Sequence, residues 1–135
     1  MSRVLGLGLD LVDVERFAAA LARHGDAFVR RICRDGEPRA TPCGRSFALH
    51  LAGLFAAKEA AMKALGTGWA AGVGFRQIEV TRAANGAPGL RLHGAAAARA
   101  AELGVIDLRV SISHDGRCAS AVVLLEGADP GAPLR

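Results

Sequence analysis

Three side chains have the types and spacing for phosphate chemistry. Asp10 ends an apolar, strand-like run, and Glu59 and Lys63 lie four apart in FAAKEAAMKALGTG, residues 55–68. Residues four apart share one helix face. If Asp10 meets Glu59 in space, two carboxylates with few histidines nearby suit a hard cation such as Mg²⁺. Such an ion takes one or two protein carboxylates and completes its shell with water and substrate phosphate. The run stops on Gly66-Thr67-Gly68. Glycines let a ligand come close to the backbone, and exposed amides with a hydroxyl suit phosphate oxygens. A helix C-terminus disfavours anions, so a phosphate there needs Lys63, another cation or a metal. Plainer readings stand beside these. Glu59 and Lys63 at i,i+4 can be a surface ion pair worth ~0.3–0.5 kcal/mol. Asp10 can be a cap or turn residue.

Other tempting groupings fail on geometry. GxxxxGK[ST] is absent, and these glycines follow the helix rather than precede it. Gly6-Leu7-Gly8 lacks the third glycine of a dinucleotide fingerprint. Ser111, Ser113, His114 and Asp115 do not make a nucleophile triad, because adjacent strand residues point to opposite faces.

The elements that must hold these groups are legible. Residues 3–11 alternate with period two: Leu5, Leu7, Leu9 and Leu11 on one face, Gly6, Gly8 and Asp10 on the other. The bare face invites a close neighbour. Asp13 can cap a helix carrying Arg16, Phe17, Ala20 and Leu21, stopped at His24-Gly25, and Asp26 can cap a second short helix through Ile32. Residues 35–45 read as a loop. A long helix spans about 46–65, with Gly66 as a left-handed stop. A strand is expected at 75–80, an Asn85-Gly86 turn, a strand at 90–93, an alanine-rich helix at 94–103, and a hairpin from 107–114 to 117–125 about Asp115-Gly116. The fold class is therefore α+β, a small mostly antiparallel sheet packed on one long helix. One domain over 1–126 and a flexible tail over 127–135 are expected.

Composition narrows the functions. The chain has 135 residues, 51% hydrophobic and 22% charged, which supports a packed core. Aromatics are 4% with no Tyr, so base stacking on nucleic acid is poorly supported. Net charge is +4, which favours an anionic partner without naming it. Three cysteines, Cys33, Cys43 and Cys118, without CxxC spacing argue against a disulfide framework or zinc site. No apolar run reaches the ~18 residues of a membrane span, and no signal-peptide pattern is present, so no membrane association and a cytoplasmic location are expected.

Three segments in order resemble the holo-acyl-carrier-protein synthase family, the small type of 4′-phosphopantetheinyl transferase. They are GLGLDLVDVERF (6–17), FAAKEAAMKALGTG (55–68) and VSISHDGRCASAVVLLE (110–126). The resemblance implies transfer of 4′-phosphopantetheine from coenzyme A to a serine of an acidic apo-acyl carrier protein, releasing 3′,5′-ADP. It implies an α+β homotrimer with interfacial active sites. Asp10 and Glu59 match the metal-binding acids, and Lys63 matches the lysine near the pyrophosphate. Gly66, Thr67 and Gly68 match the loop near the coenzyme. Ser113 and His114 match the segment by the nucleotide, where His114 could contact the 3′-phosphate. Deprotonation of the carrier serine by Glu59 or by a metal-bound water stays open. The first helix would meet the carrier protein, with Arg16 and Arg23 as candidates. One departure is Leu54, where many relatives carry Arg; Arg45 could supply that cation. Lys58 points about 100° away from Glu59 and could serve the coenzyme, a neighbouring subunit or only solvent. A non-catalytic coenzyme-binding module and a purely structural trimer are the competing classes.

Overall fold

The computed structural model describes residues 2–37 and 44–131, with the backbone alone at 44 and 45. Cys43, the middle of the expected loop, the Arg45 side chain and the end of the expected tail lie outside it. In chain order the elements are β1 (Ser2–Asp13), α1 (Val14–Ile32), α2 (Gly44–Leu65), a 3-10 turn (Phe75–Gln77), β2 (Ile78–Arg82), β3 (Pro88–Leu92), α3 (Gly94–Leu103), β4 (Val105–His114) and β5 (Cys118–Ala128). β5 lies between β1 and β4 in one antiparallel sheet, and β2 and β3 form a separate hairpin. The fold is α+β, as expected. The last strand runs two residues past the expected domain edge at 126.

Local chemistry explains the boundaries. The Asp13 carboxylate accepts from Arg16 N at 3.0 Å and caps α1. Gly25 breaks α1 with φ +55° and ψ −138°, which separates the two short helices read from the sequence. The strand expected from Phe75 opens instead with the 3-10 turn, and its ladder starts at Ile78.

α2 is buried almost all round. Ala52, Ala56, Ala57, Ala60 and Ala61 are each fully buried, with Leu51, Leu54 and Met62 beside them. A helix apolar on every side belongs in the middle of a domain. It crosses the three-stranded sheet diagonally. Near its middle, a methyl at Gly53 would sit 3.2 Å from Ile112 Cγ2 of β4. Near its end, methyls at Gly8 and Gly6 of β1 would fall far inside van der Waals contact of the Ala60 and Ala64 carbonyl oxygens. The bare face of the first strand thus admits helix backbone directly against strand backbone. Buried Ala119, Ala121, Val123 and Leu125 of β5 fill the centre.

The alternation in β1 has the opposite sense from an ordinary half-buried strand. Its glycine face is the inner one. Leu7, Leu9 and Leu11 point outward, 63%, 63% and 72% exposed. A register shift between Val4 and Gly6 leaves Leu5 packed on the core instead.

Lys58 serves none of the three roles open to it from sequence. It is fully buried, donates to Glu37 Oε1 at 2.6 Å and reaches Phe75 O at 3.2 Å. Glu37 also accepts from Arg34 N at 2.6 Å and Val80 N at 3.2 Å. Burial pushes the lysine pKa down; the bond to Glu37 and its charge oppose that push.

The glycine contact yields a direct test. Gly8→Ala should destabilise by about 3 kcal/mol or more, since overpacking against backbone cannot relax cheaply. Gly74→Ala, with open space around it and φ −139°, should cost little. Denaturant midpoints of the two variants read the difference.

Candidate active site

The close approach of α2 to β1 sets the site. Asp10 continues the inner face of β1 beyond Gly8, and the turns of α2 that meet β1 through Ala60 and Ala64 also bring Glu59 and Lys63 to it. Lys63 Nζ donates to Leu9 O at 2.9 Å and to Asp10 Oδ1 at 3.1 Å. The expected Glu59–Lys63 surface pair is therefore not what forms, because Lys63 turns across to the strand. Lys63 is half exposed and Asp10 largely covered.

Glu59 is held above its ordinary pKa. Partial burial is the larger cause, and the nearby Asp10 charge adds to it; Lys63 pulls the other way. Two carboxylates that repel each other at a half-open edge are a donor set of hard oxygens. Among the described residues no group of three or more His, Cys, Asp or Glu offers a fuller cage. Two carboxylates suit an ion that keeps water and substrate oxygens in its shell.

The glycine stop is a paired cap. Gly66, at φ +74°, donates to Lys63 O at 3.1 Å, and Thr67 N reaches Met62 O at 3.3 Å. The Thr67 hydroxyl lies 3.2 Å from Gly68 O, and Gly68 is also left-handed at φ +52°. The cation that a helix C-terminus needs beside an anion is present, and it is one the sequence hid. Arg99 of α3 donates Nε to Leu65 O at 3.0 Å. Trp69 follows the cap, 60% exposed and edge-on to Phe75 at 4.3 Å.

Ser113 and His114 fall elsewhere. The register pairs Asp10 with Ala121 and Ala121 with Ile112, so β4 lies two strand spacings from β1, roughly 10 Å. Ser113 is exposed on the outer face. His114 lines a cavity of about 310 Å³ with Ser46, Leu49, His50, Gly53, Arg82 and Ile112. One chain therefore places these two groups at opposite edges of the sheet, with α2 between them. A wider cleft of about 1060 Å³ between α1 and the start of α2 is lined by none of Asp10, Glu59 and Lys63. Arg16 and Arg23 are both exposed on α1. Sequence spacing could not find His50, Arg82 or Arg99, since each reaches its place from a separate element.

The strain on Glu59 has a measurable sign. Its folded pKa is raised, so the folded state prefers the protonated carboxyl. The stability this adds is complete below the ordinary glutamate value and is lost as pH rises through the folded value. Glu59→Gln, which stays neutral, should therefore raise the thermal midpoint at pH 8. The gain should shrink as pH falls to the ordinary carboxylate range. A midpoint unchanged at pH 8 would refute the raised proton affinity of Glu59.

Comparison with known proteins identifies the family. The family model of the 4′-phosphopantetheinyl transferase superfamily matches residues 6–122. A holo-[acyl-carrier-protein] synthase of Solidesulfovibrio magneticus is 52% identical over 124 residues, 92% of this chain and 99% of that protein. The crystal structure of holo-[acyl-carrier-protein] synthase from Neisseria meningitidis superposes with a TM-score of 0.80 at 30% identity, covering 91% of this chain and 98% of that one. The Helicobacter pylori holo-[acyl-carrier-protein] synthase in complex with coenzyme A gives 0.71 at 28% identity, covering 88% and 98%. The chain belongs to the holo-[acyl-carrier-protein] synthase family of 4′-phosphopantetheinyl transferases.

Proposed function

We propose that the chain transfers 4′-phosphopantetheine from coenzyme A to a serine of an acidic apo-acyl carrier protein. The observation that carries this reading is the meeting of Asp10, Glu59 and Lys63 beside the Gly66–Gly68 cap. The serine oxygen attacks the phosphorus that bears pantetheine. The bond from that phosphorus to the bridging oxygen breaks, and 3′,5′-ADP leaves. Asp10 and Glu59 would hold Mg²⁺, which when bound neutralises charge on the pyrophosphate. Lys63, half exposed, is placed to stabilise the charge that develops on the leaving phosphate. Glu59 would take the serine proton, directly or through a water. Gly66, Thr67 and Gly68 would let the coenzyme approach the backbone, with Arg99 offsetting the helix terminus. Ser113 and His114 would meet the nucleotide, His114 at its 3′-phosphate.

Two features support an assembly of three copies. The half-sites lie at opposite edges of one sheet, so one coenzyme reaches both only where two copies meet. The outward Leu7, Leu9 and Leu11 of β1, with Val122 directly across the ladder from Leu9, form an apolar surface that single exposed residues do not explain. A homotrimer with interfacial sites satisfies both. Arg16 and Arg23, seven apart on exposed α1, would steer the acidic carrier on a net positive surface. Among the described residues no helix is long and apolar enough to cross a membrane.

Intact mass tests the reaction. An apo-carrier protein with coenzyme A and Mg²⁺ should gain the mass of one phosphopantetheine, and chelation should stop it. Glu59→Gln should lower kcat by at least about 100-fold. No gain on any of several acidic carriers would defeat the reading. Separately, Leu9→Asp should turn the trimer into folded monomer, seen by sedimentation, with turnover lost.

A further inference from the structure

Among the described residues, Glu37 and Lys58 are the two charged side chains buried from solvent. The transfer chemistry uses neither of them. It does depend on where α2 lies, because Glu59 follows Lys58 directly and must face Asp10. Helices are usually held in place by side-chain relief, with ridges on one element filling grooves on the other. α2 has little relief where it meets β1. The contact runs backbone to backbone, with the Ala60 and Ala64 carbonyls against Gly8 and Gly6. A slip of one residue moves a helix by ~1.5 Å and turns it by ~100°. Alanine against glycine buries nearly the same surface either way, so apolar packing discriminates poorly between such registers.

The ion pair supplies the lock that the small residues lack. Lys58 Nζ lies 2.6 Å from Glu37 Oε1 and donates to Phe75 O at 3.2 Å. Glu37 Oε1 also accepts from Arg34 N at 2.6 Å, and its Oε2 accepts from Val80 N at 3.2 Å. The segment after α1, the 3-10 turn and β2 thus converge on one side chain of α2. Phe75 also packs its ring on Phe55, one turn before Glu59, at 5.0 Å between centroids. Aromatic contacts tolerate a range of offsets. The ammonium tolerates none, because any slip leaves a carboxylate buried and unpaired.

We propose that Lys58 and Glu37 are positioning residues for the transfer. Their buried pair fixes the register of α2 on β1, and through it the place of Glu59 against Asp10. The catalytic consequence rests on the transferase reading; the register does not.

A pair kept for stability alone can be exchanged for apolar side chains of similar volume with little loss. The test makes that exchange. Lys58→Met and Glu37→Leu should each lower the denaturant midpoint, and the two together should bring it back close to wild type. In the mass assay the double variant should nevertheless keep kcat at least about 30-fold below wild type, with KM for coenzyme A moved less than about threefold, since a misplacement near 1 Å is enough for such a loss. Its crystal structure should show the Ala60 and Ala64 carbonyls displaced from Gly8 and Gly6. Glu37→Gln keeps the shape and removes the charge, so it tests the same point in a chain that still folds; its kcat should fall by about tenfold at unchanged KM. A double variant with wild-type midpoint and wild-type kcat overturns the proposal, as does one whose α2 keeps its register. If the double variant does not fold, wild-type kcat in Glu37→Gln overturns it equally. A displaced α2 in a protein whose wild type modifies no carrier sustains the register and sinks the transferase reading.

Discussion

Everything at the site depends on one contact between two backbones. β1 lies against α2 with no side chain between them at Gly6 and Gly8, and the carbonyls of Ala64 and Ala60 occupy the space. Small residues on both partners make this possible: glycines on the strand, alanines on the helix. The approach draws the next inner position, Asp10, within reach of the turns that carry Glu59 and Lys63. A wider spacing would leave the lysine in water and the two acids too far apart to feel each other. Interiors are packed like crystals, so this spacing is held rather than averaged.

The opposite side of α2 is held by a different force. Lys58 and Glu37 form an ion pair with no exposure, closed by bonds from Arg34 N and Val80 N and to Phe75 O. Such a pair adds little net stability against an apolar replacement, while loss of one partner is severe. Its value here is geometric. It ties the segment after α1, the 3-10 turn and β2 to one turn of α2. Adjacent residues 58 and 59 therefore do opposite work: one fixes the helix in the core, the other faces the edge where chemistry is possible.

The electrostatics of the two edges are complementary rather than uniform. Crowded acids with one lysine mark the β1 edge, and cationic and neutral donors mark the β4 edge. Glu59 is kept at a cost, since burial and Asp10 both disfavour its charge. Strain of this kind concentrates at functional sites, where stability yields to reactivity. The outward leucines express the same logic on a larger scale, leaving apolar surface uncovered on a single chain.

Local pattern was enough for much of this. Period-two alternation marked β1, Asp13 marked the start of α1, Gly66 the end of α2, and Asp115-Gly116 the last hairpin. Each is a short-range effect, decided by neighbours within about four residues. The types and order of Asp10, Glu59, Lys63 and the glycine cap were likewise legible. Tertiary structure alone decided which way they connect. It turned the glycine face of β1 inward and the leucines outward, since alternation fixes two faces but not which is buried. It gave Lys63 to Asp10 instead of Glu59, and it buried Lys58, which helical spacing left unassigned. It also brought His50, Arg82 and His114 together from three elements. Those outcomes depend on contacts between residues tens of positions apart, and periodicity carries no information about them.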